Sequence, residues 1–369
     1  MIPLKATASN LSRVSLRKIR LNKLIEIFDG HNDSVQRMKE YRPDGEDFLE
    51  RAATGHIDLP RAEEGGLFGG LFAIAVFPEY LEGDLTITET GYEVRLAEAL
   101  DPANARREIA KQLNALRSLE KRACGTIRIT TSVDEIERAK QDHSFAMMIH
   151  MEGAEAIGPD LRELGELYNS GLRSLGLVWS RPNIFGHGVP FACPRSPNTG
   201  PGLTPVGKNL VRECNRLGVM IDVSHLNEKG FWDVADLSTA PLVATHTCAY
   251  TICPSTRNLT DKQLDAIRES DGIVGVNFAV NDVRPDAHLD ENTPLDMVAR
   301  QFAYLVDRIG IDRVGIGSDF DGATIPKPIG DVSGLQNLIL SLREYGFDDT
   351  VLRKIASENW MRVLRLSLR

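Results

Sequence analysis

No stretch of this 369-residue sequence is apolar for long enough to cross a membrane. Cysteine is scarce. Cys124, Cys193, Cys214, Cys248 and Cys253 are odd in number and contain no CxxC pair, which argues against a disulfide scaffold and for packed free thiols. Positive charge is also short: 43 Lys and Arg stand against 52 Asp and Glu, a net charge of −9, where a nucleic-acid binder would carry a basic face. The first 24 residues are basic but lack the apolar core and small-residue cleavage site of a secretory signal, so the expectation is a mature cytoplasmic protein. The nucleophile elbow GxSxG is absent, against a serine hydrolase. The segment GLTPVGKN (202–209) nearly fits a phosphate-binding loop, but Asn209 replaces the magnesium-binding hydroxyl and Pro205 stiffens the turn. Thr204 and Pro205 read instead as the N-cap and first turn of a helix.

What is present is an alternation without repeats, low-complexity tracts or linkers. Eight apolar runs predict strands at Ile25–Asp29, Leu67–Phe77, Phe145–Met151, Leu172–Trp179, Val219–Ser224, Pro241–Thr245, Gly272–Ala279 and Val314–Ser318, with a short extra run at 126–130. Amphipathic helical patterns lie between them, including EVRLAEAL (93–100) with NARREIAKQLNALRSLEKR (104–122), then VGKNLVRECNRLG and DMVARQFAYLVDRIG. Gly218 and Gly310 suit the position just after a helix. Strands that are apolar throughout, each followed by a helix, point to parallel βα units covered on both faces. The expected architecture is a single α/β domain over 1–369, a (β/α)8 TIM-type barrel, with an open doubly wound sheet as the second choice.

The polar residues gather where these strands end. The first run leads into His31 and Asp33, the third into Glu152, the fifth into His225, the sixth into His246 and the last into Asp319 and Asp321. In such a barrel these ends share one mouth, where catalytic groups collect. Imidazoles and carboxylates together suit zinc or a similar first-row ion, and one glutamate could bridge two ions that activate a shared water. Each residue alone has an ordinary explanation as a turn or core group; together they favour a metal site. His150 is left outside this set, and His56, His143 and His288 read as surface residues.

With these residues assembled, the chain resembles the membrane dipeptidase (renal dipeptidase) family, the M19 metallopeptidases, in its soluble bacterial form. The matching stretches are DGHND, MEGAEAIG, GLTPVGKNLVRECNRLGVMIDVSH, THTCAY with STRN, GIVGVNF, VGIGSDFDG and ENWMRVL, in order over roughly residues 25–367. The resemblance implies a barrel of the metal-dependent amidohydrolase type with two zinc ions. It places His31 and Asp33 on one ion, His225 and His246 on the other, and Glu152 between them. It implies a dipeptide substrate whose carboxylate is held by Arg257, with neighbouring Asn258 also at the substrate, and Asp319 as the group that handles the proton. Tolerance for a C-terminal D-residue and homodimers are family traits implied in the same way. One departure stands out: Trp179 occupies the place of a histidine that polarises the scissile carbonyl. Indole has only a donor N–H and does not titrate, so the loop residue His187 is the alternative for that role. The nearest rival activity is another amidohydrolase-type reaction, on N-acyl amino acids or cyclic amides.

Overall fold

The eight predicted runs all form strands in the computed structural model, which describes residues 24–78 and 84–368; the basic N-terminal stretch lies outside these apart from Leu24. The strands are β1 (Ile27–Asn32), β2 (Leu67–Ala75), β3 (Phe145–Glu152), β4 (Leu172–Gly176), β5 (Met220–Asp222), β6 (Val243–Thr247), β7 (Ile273–Val276) and β8 (Val314–Ile316). Each pairs in parallel with the next, in sequence order. The circle closes where Asn32 and Phe320 form a parallel bridge, with the Asp33 N–H 2.8 Å from the Phe320 carbonyl. The extra run is a short strand, Ile127–Ile129, paired outside the circle with the start of β3.

Side-chain alternation sorts the interior into two environments. Outward residues such as Ile27, Phe72, Ile149, Leu175, Val274 and Ile316 pack under the helices. The alternate residues Phe28, Leu71, Met148, Met220, Val243 and Ile273 form a second cluster with Trp360 of the C-terminal helix Asn359–Ser367. The Trp360 indole donates to the Ile316 carbonyl at 2.8 Å and is completely buried. Gly30 makes room for it, since a Cβ there would lie 2.1 Å from the ring. Removing this ring would open a cavity at a cost of about 3–5 kcal/mol. One end of the barrel is thus dry and filled, and the polar groups are confined to the other.

Helix boundaries follow local capping. Thr204 caps the helix Pro205–Leu217, its hydroxyl accepting the Gly207 N–H at 3.0 Å, and Gly218 ends it in a left-handed conformation. The long helix Leu295–Ile309 stops at Gly310, which has φ 85°. The helical reading of 93–100 is corrected. Tyr92–Val94 is instead the middle strand of a small antiparallel sheet with Leu85–Ile87 and Ala192–Cys193. The helix begins only at Pro102, because Asp101 caps it and the residue before a proline resists helical geometry. The first strand also runs further than expected, to Asn32 rather than Asp29. The buried Asp29 carboxylate accepts the N–H and hydroxyl of Ser318 at 2.8 and 2.7 Å, so its oxygens are paired where polar residues continue the strand. No helix among the described residues is long and apolar enough to span a membrane.

Candidate metal centre

Five strand ends deliver their polar residues to one buried cluster. Glu152, the last residue of β3, sits in the middle. Its Oε1 lies 2.9 Å from His225 Nε2, 3.4 Å from His246 Nε2 and 3.8 Å from His31 Nε2. His31 Nε2 is also 3.6 Å from Asp33 Oδ2. The ligand atoms of His31, Glu152 and His246 lie within 4.8 Å of one another, as do those of His31, Asp33 and Asp319. The His31 and His246 rings stack with centroids 3.8 Å apart. His225 and Asp319, each just beyond its strand, have φ of 64° and 59°. Such conformations cost energy in residues other than glycine and cluster at functional sites.

Backbone and side-chain bonds hold this arrangement. The Asp319 N–H donates to the His31 carbonyl at 3.1 Å, and Asn277 Nδ2 donates to Asp319 Oδ2 at 3.0 Å. Gly322 permits the close packing of the acids, because a Cβ there would lie 2.0 Å from Asp33 Oδ2 and 2.4 Å from Asp319 Oδ1. Ser180 and Thr245 hydroxyls meet Nδ1 of His225 and His246 at 2.8 and 2.9 Å.

The charges are those of a site built for cations. Burial alone would push His31 down, but the facing carboxylates of Glu152 and Asp33 outweigh it and raise this imidazole to about 10. Burial raises Asp33 to about 6 against the pull of His31, and holds Glu152 well above the usual carboxylate range. His225 and His246 are pushed well below their ordinary value, by burial first and then by the cations around them, among them Arg257. Both nitrogens of His31 and Oδ1 of Asp33 are buried without a hydrogen-bond partner. His225 Nε2 and His246 Nε2 face each other at 3.1 Å. The neutral imidazoles of His225 and His246, each able to present a lone pair, beside the unpartnered His31 ring and the orphaned Asp33 Oδ1, fit bound metal, to which each ring would offer one nitrogen.

The remaining expected residues fall into place unevenly. Arg257 is buried, with Nη2 3.2 Å from the His246 carbonyl. Trp179 is buried between Phe77 and Phe191, at centroid distances of 5.6 and 5.5 Å, and 5.8 Å from the His225 ring. The His187 ring makes no hydrogen bond to the cluster among the described residues. Its carbonyl accepts the Asn227 N–H, and nearby Val189 N–H donates to the His225 carbonyl at 2.8 Å. Asn258 differs from expectation. Both Nδ2 protons go to the carbonyls of Cys253 and Asp282, and Oδ1 accepts the Cys248 N–H, so its amide ties the Arg257 loop together and has no proton left for a substrate. Asp321 is likewise engaged elsewhere, by the Ser34 hydroxyl and the His56 N–H. His56 is therefore not a plain surface residue: it is half-buried, and its Nδ1 accepts the Asp321 N–H. His143 and His288 are exposed, as read.

Three groups near the centre were missed. His150 shares the inward face of β3 with Glu152, is fully buried, and meets Ser174 Oγ at 2.8 Å and the edge of the His31 ring. Strand alternation was the available signal. Arg181 and Glu155 form a buried ion pair at 2.7 Å, with the Arg181 guanidinium over the Trp179 ring. Asp222 bonds Thr245 behind His246.

A family model described as membrane dipeptidase (peptidase family M19) matches residues 16–367. A metallo peptidase from Rhodobacter sphaeroides, solved with a phosphinate mimic of the dipeptide L-Ala-D-Ala, is 45% identical. The match covers 94% of this chain and 100% of that one, with a TM-score of 0.89. Dipeptidase AC, a metallo peptidase of family M19, is 46% identical, with coverage of 94% and 99% and a TM-score of 0.90. Dipeptidase tcpJ of Claviceps purpurea is 27% identical over 341 residues, which are 91% of this chain and 76% of that protein. The barrel, the donor set at its mouth and a family match running almost end to end agree, and the chain belongs to the membrane dipeptidase family, peptidase family M19, the metal-dependent hydrolases of dipeptides.

Proposed function

We propose that the cluster holds two zinc ions and that the chain cleaves short dipeptides, including those with a C-terminal D-residue. The observation that carries this reading is the approach of one oxygen, Glu152 Oε1, to His31, His225 and His246 alike. Six candidate ligands exceed what one tetrahedral ion needs, and a set of nitrogens and carboxylate oxygens without thiolate suits zinc. His31 and Asp33 would hold one ion, His225 and His246 the other, with Glu152 shared. Bound there, the ions would lower the pKa of a shared water and polarise the scissile carbonyl.

The chain's own residues do the rest. Arg257 grips the substrate carboxylate with a guanidinium fork, which limits the length of peptide accepted. Asp319 is held by Asn277 through Oδ2, leaving Oδ1 to take the proton of the attacking water and return it to the leaving nitrogen. Trp179, with Phe77 and Phe191, lines the His225 side with apolar surface that excludes water and receives a side chain of the substrate. His187 is a loop group at the edge of this wall; a His187→Ala variant with unchanged kcat/KM removes it from the reaction. Asn258 supports the Arg257 loop rather than the substrate. A homodimer is the family's common state and is proposed on that ground alone.

Support for the D-residue comes from the L-Ala-D-Ala mimic held by the Rhodobacter sphaeroides relative. The test is a steady-state assay of the zinc-loaded protein on L-Ala-L-Ala and L-Ala-D-Ala, with a chelator-treated control. Metal-dependent cleavage of both supports the reading. Cleavage of N-acyl amino acids or cyclic amides in preference to both dipeptides would replace it.

A further inference from the structure

We propose that Asp222 and Thr245 are a positioning pair that fixes the tautomer of His246, so that its Nε2 always presents a lone pair to the metal cluster. The proposal rests on the reading of the cluster as a metal centre. Both residues are buried, Thr245 completely. Asp222 stands at the end of β5. Its Oδ1 accepts the N–H groups of Ser224 at 3.0 Å and Thr245 at 2.9 Å, and its Oδ2 accepts the Thr245 hydroxyl at 2.6 Å. The Ser224 hydroxyl in turn accepts the His246 N–H at 3.2 Å, so the same turn also sets the backbone that carries the imidazole.

Proton counting then decides the tautomer. A hydroxyl has one proton, and Thr245 spends it on a carboxylate that can only accept. Toward His246 Nδ1, 2.9 Å away, the hydroxyl therefore offers only lone pairs, and Nδ1 must carry the hydrogen. A neutral imidazole with hydrogen on Nδ1 has its lone pair on Nε2, the atom that faces Glu152 Oε1 and His225 Nε2. The second histidine of this pair is held less strictly. Ser180 meets His225 Nδ1 at 2.8 Å, but no further acceptor for the Ser180 hydroxyl is found among the described residues, so its proton is free to point either way. Metal-bound imidazoles are commonly oriented through the far nitrogen in this manner, and losing such a partner weakens metal binding by roughly 10–100-fold.

Three variants test the pair. Thr245→Val keeps the shape and removes the hydroxyl; Thr245→Ser keeps the hydroxyl. Asp222→Asn does something different. The two backbone N–H donors at Oδ1 claim the amide oxygen, so the amide nitrogen faces Thr245 and donates to it. The hydroxyl must then turn its proton to His246 Nδ1, which drives the imidazole to the wrong tautomer. The readouts are zinc affinity by competition with a chelator, and the ¹⁵N shifts of the His246 ring in the metal-free protein. Zinc affinity should fall about 10–100-fold in Thr245→Val, fall at least as far in Asp222→Asn, and stay near wild type in Thr245→Ser. Wild-type spectra should show hydrogen on Nδ1 and Asp222→Asn spectra hydrogen on Nε2. Unfolding of the metal-free variants checks that each remains folded. A folded Thr245→Val with wild-type zinc affinity, or wild-type spectra with hydrogen on Nε2, overturns the proposal. If the wild type bound no zinc, the metal reading would fail while the ring spectra still decided the tautomer.

Discussion

The two halves of the cluster meet at Glu152 and are built in opposite ways. On one side His225 and His246 are neutral, pushed well below their ordinary values by burial, and each has its Nδ1 against a hydroxyl. On the other side His31 has neither nitrogen hydrogen-bonded, and its pKa is raised to about 10 by Glu152 and Asp33 against the effect of burial. One half is oriented by hydrogen bonds before any cation arrives. The other is oriented by charge, with a proton on His31 balancing acids that a metal ion would otherwise balance. A hydrogen-bonded ligand is lost by removing its partner; a charge-compensated ligand is lost by moving its acids.

Removing the shared group should erase the difference between the halves. Glu152→Gln is expected to lower metal affinity and kcat/KM by well over the roughly 100-fold typical of second-sphere losses, checked by metal analysis and dipeptide kinetics. Stripping the metal should cost the folded protein about 4 kcal/mol when free zinc had stood at roughly a thousand times Kd. Differential scanning calorimetry with and without chelator reads that loss, and an unchanged Tm would argue that no ion stabilises the cluster. Arg257→Ala lies outside both halves. It should raise KM about 10–100-fold through loss of a charged hydrogen-bonding partner, with metal content unchanged.

Gly322→Ala attacks the acidic half alone. Its new Cβ must displace the Asp33 and Asp319 carboxylates, side-chain ends that can move without unfolding the barrel. The expected outcome is one ion lost or weakened, the second retained, and little change in metal-free stability, measured by metal stoichiometry and thermal unfolding. Loss of both ions together would show that the halves are not separable.

The smallest effect concerns the Arg257 loop. Asp282 lies beneath it, bonded to the Ser255 hydroxyl, and burial raises its carboxyl to about 6 despite the pull of Arg257. A carboxyl raised above its unfolded value contributes its full stability below pH 3.8 and loses it as pH rises to about 6. Asp282→Asn should therefore flatten the fall in unfolding free energy across that window by on the order of 2–3 kcal/mol. Denaturant unfolding at pH 4 and pH 6 measures it, and an unaltered slope would contradict the assignment.

What was legible in the sequence follows from range. Buried parallel strands are continuous apolar runs, so all eight could be read from neighbours along the chain. His31, Asp33, Glu152, His225, His246 and Asp319 could be read because each lies within four residues of the end of such a run. The failures involve partners distant in sequence. Asn258 sits beside Arg257 and looks like a substrate group, yet its amide ties Cys248 and Cys253 of its own loop to Asp282 of a separate segment that meets it only after folding. His56 looks polar and exposed until Asp321 arrives from far along the chain. Asp222 lies within a recognised motif, but its role depends on a hydroxyl in the next strand. EVRLAEAL has helical spacing, and the pairing of Tyr92 with Cys193 overrides it.

The most direct test is a zinc titration of metal-stripped protein, following bound metal per chain and L-Ala-D-Ala cleavage together. Two ions bound per chain, with full activity reached only at the second equivalent, is the expected result. Activity that saturates at one equivalent, or cleavage unaffected by complete removal of metal, would contradict the two-halved centre around Glu152.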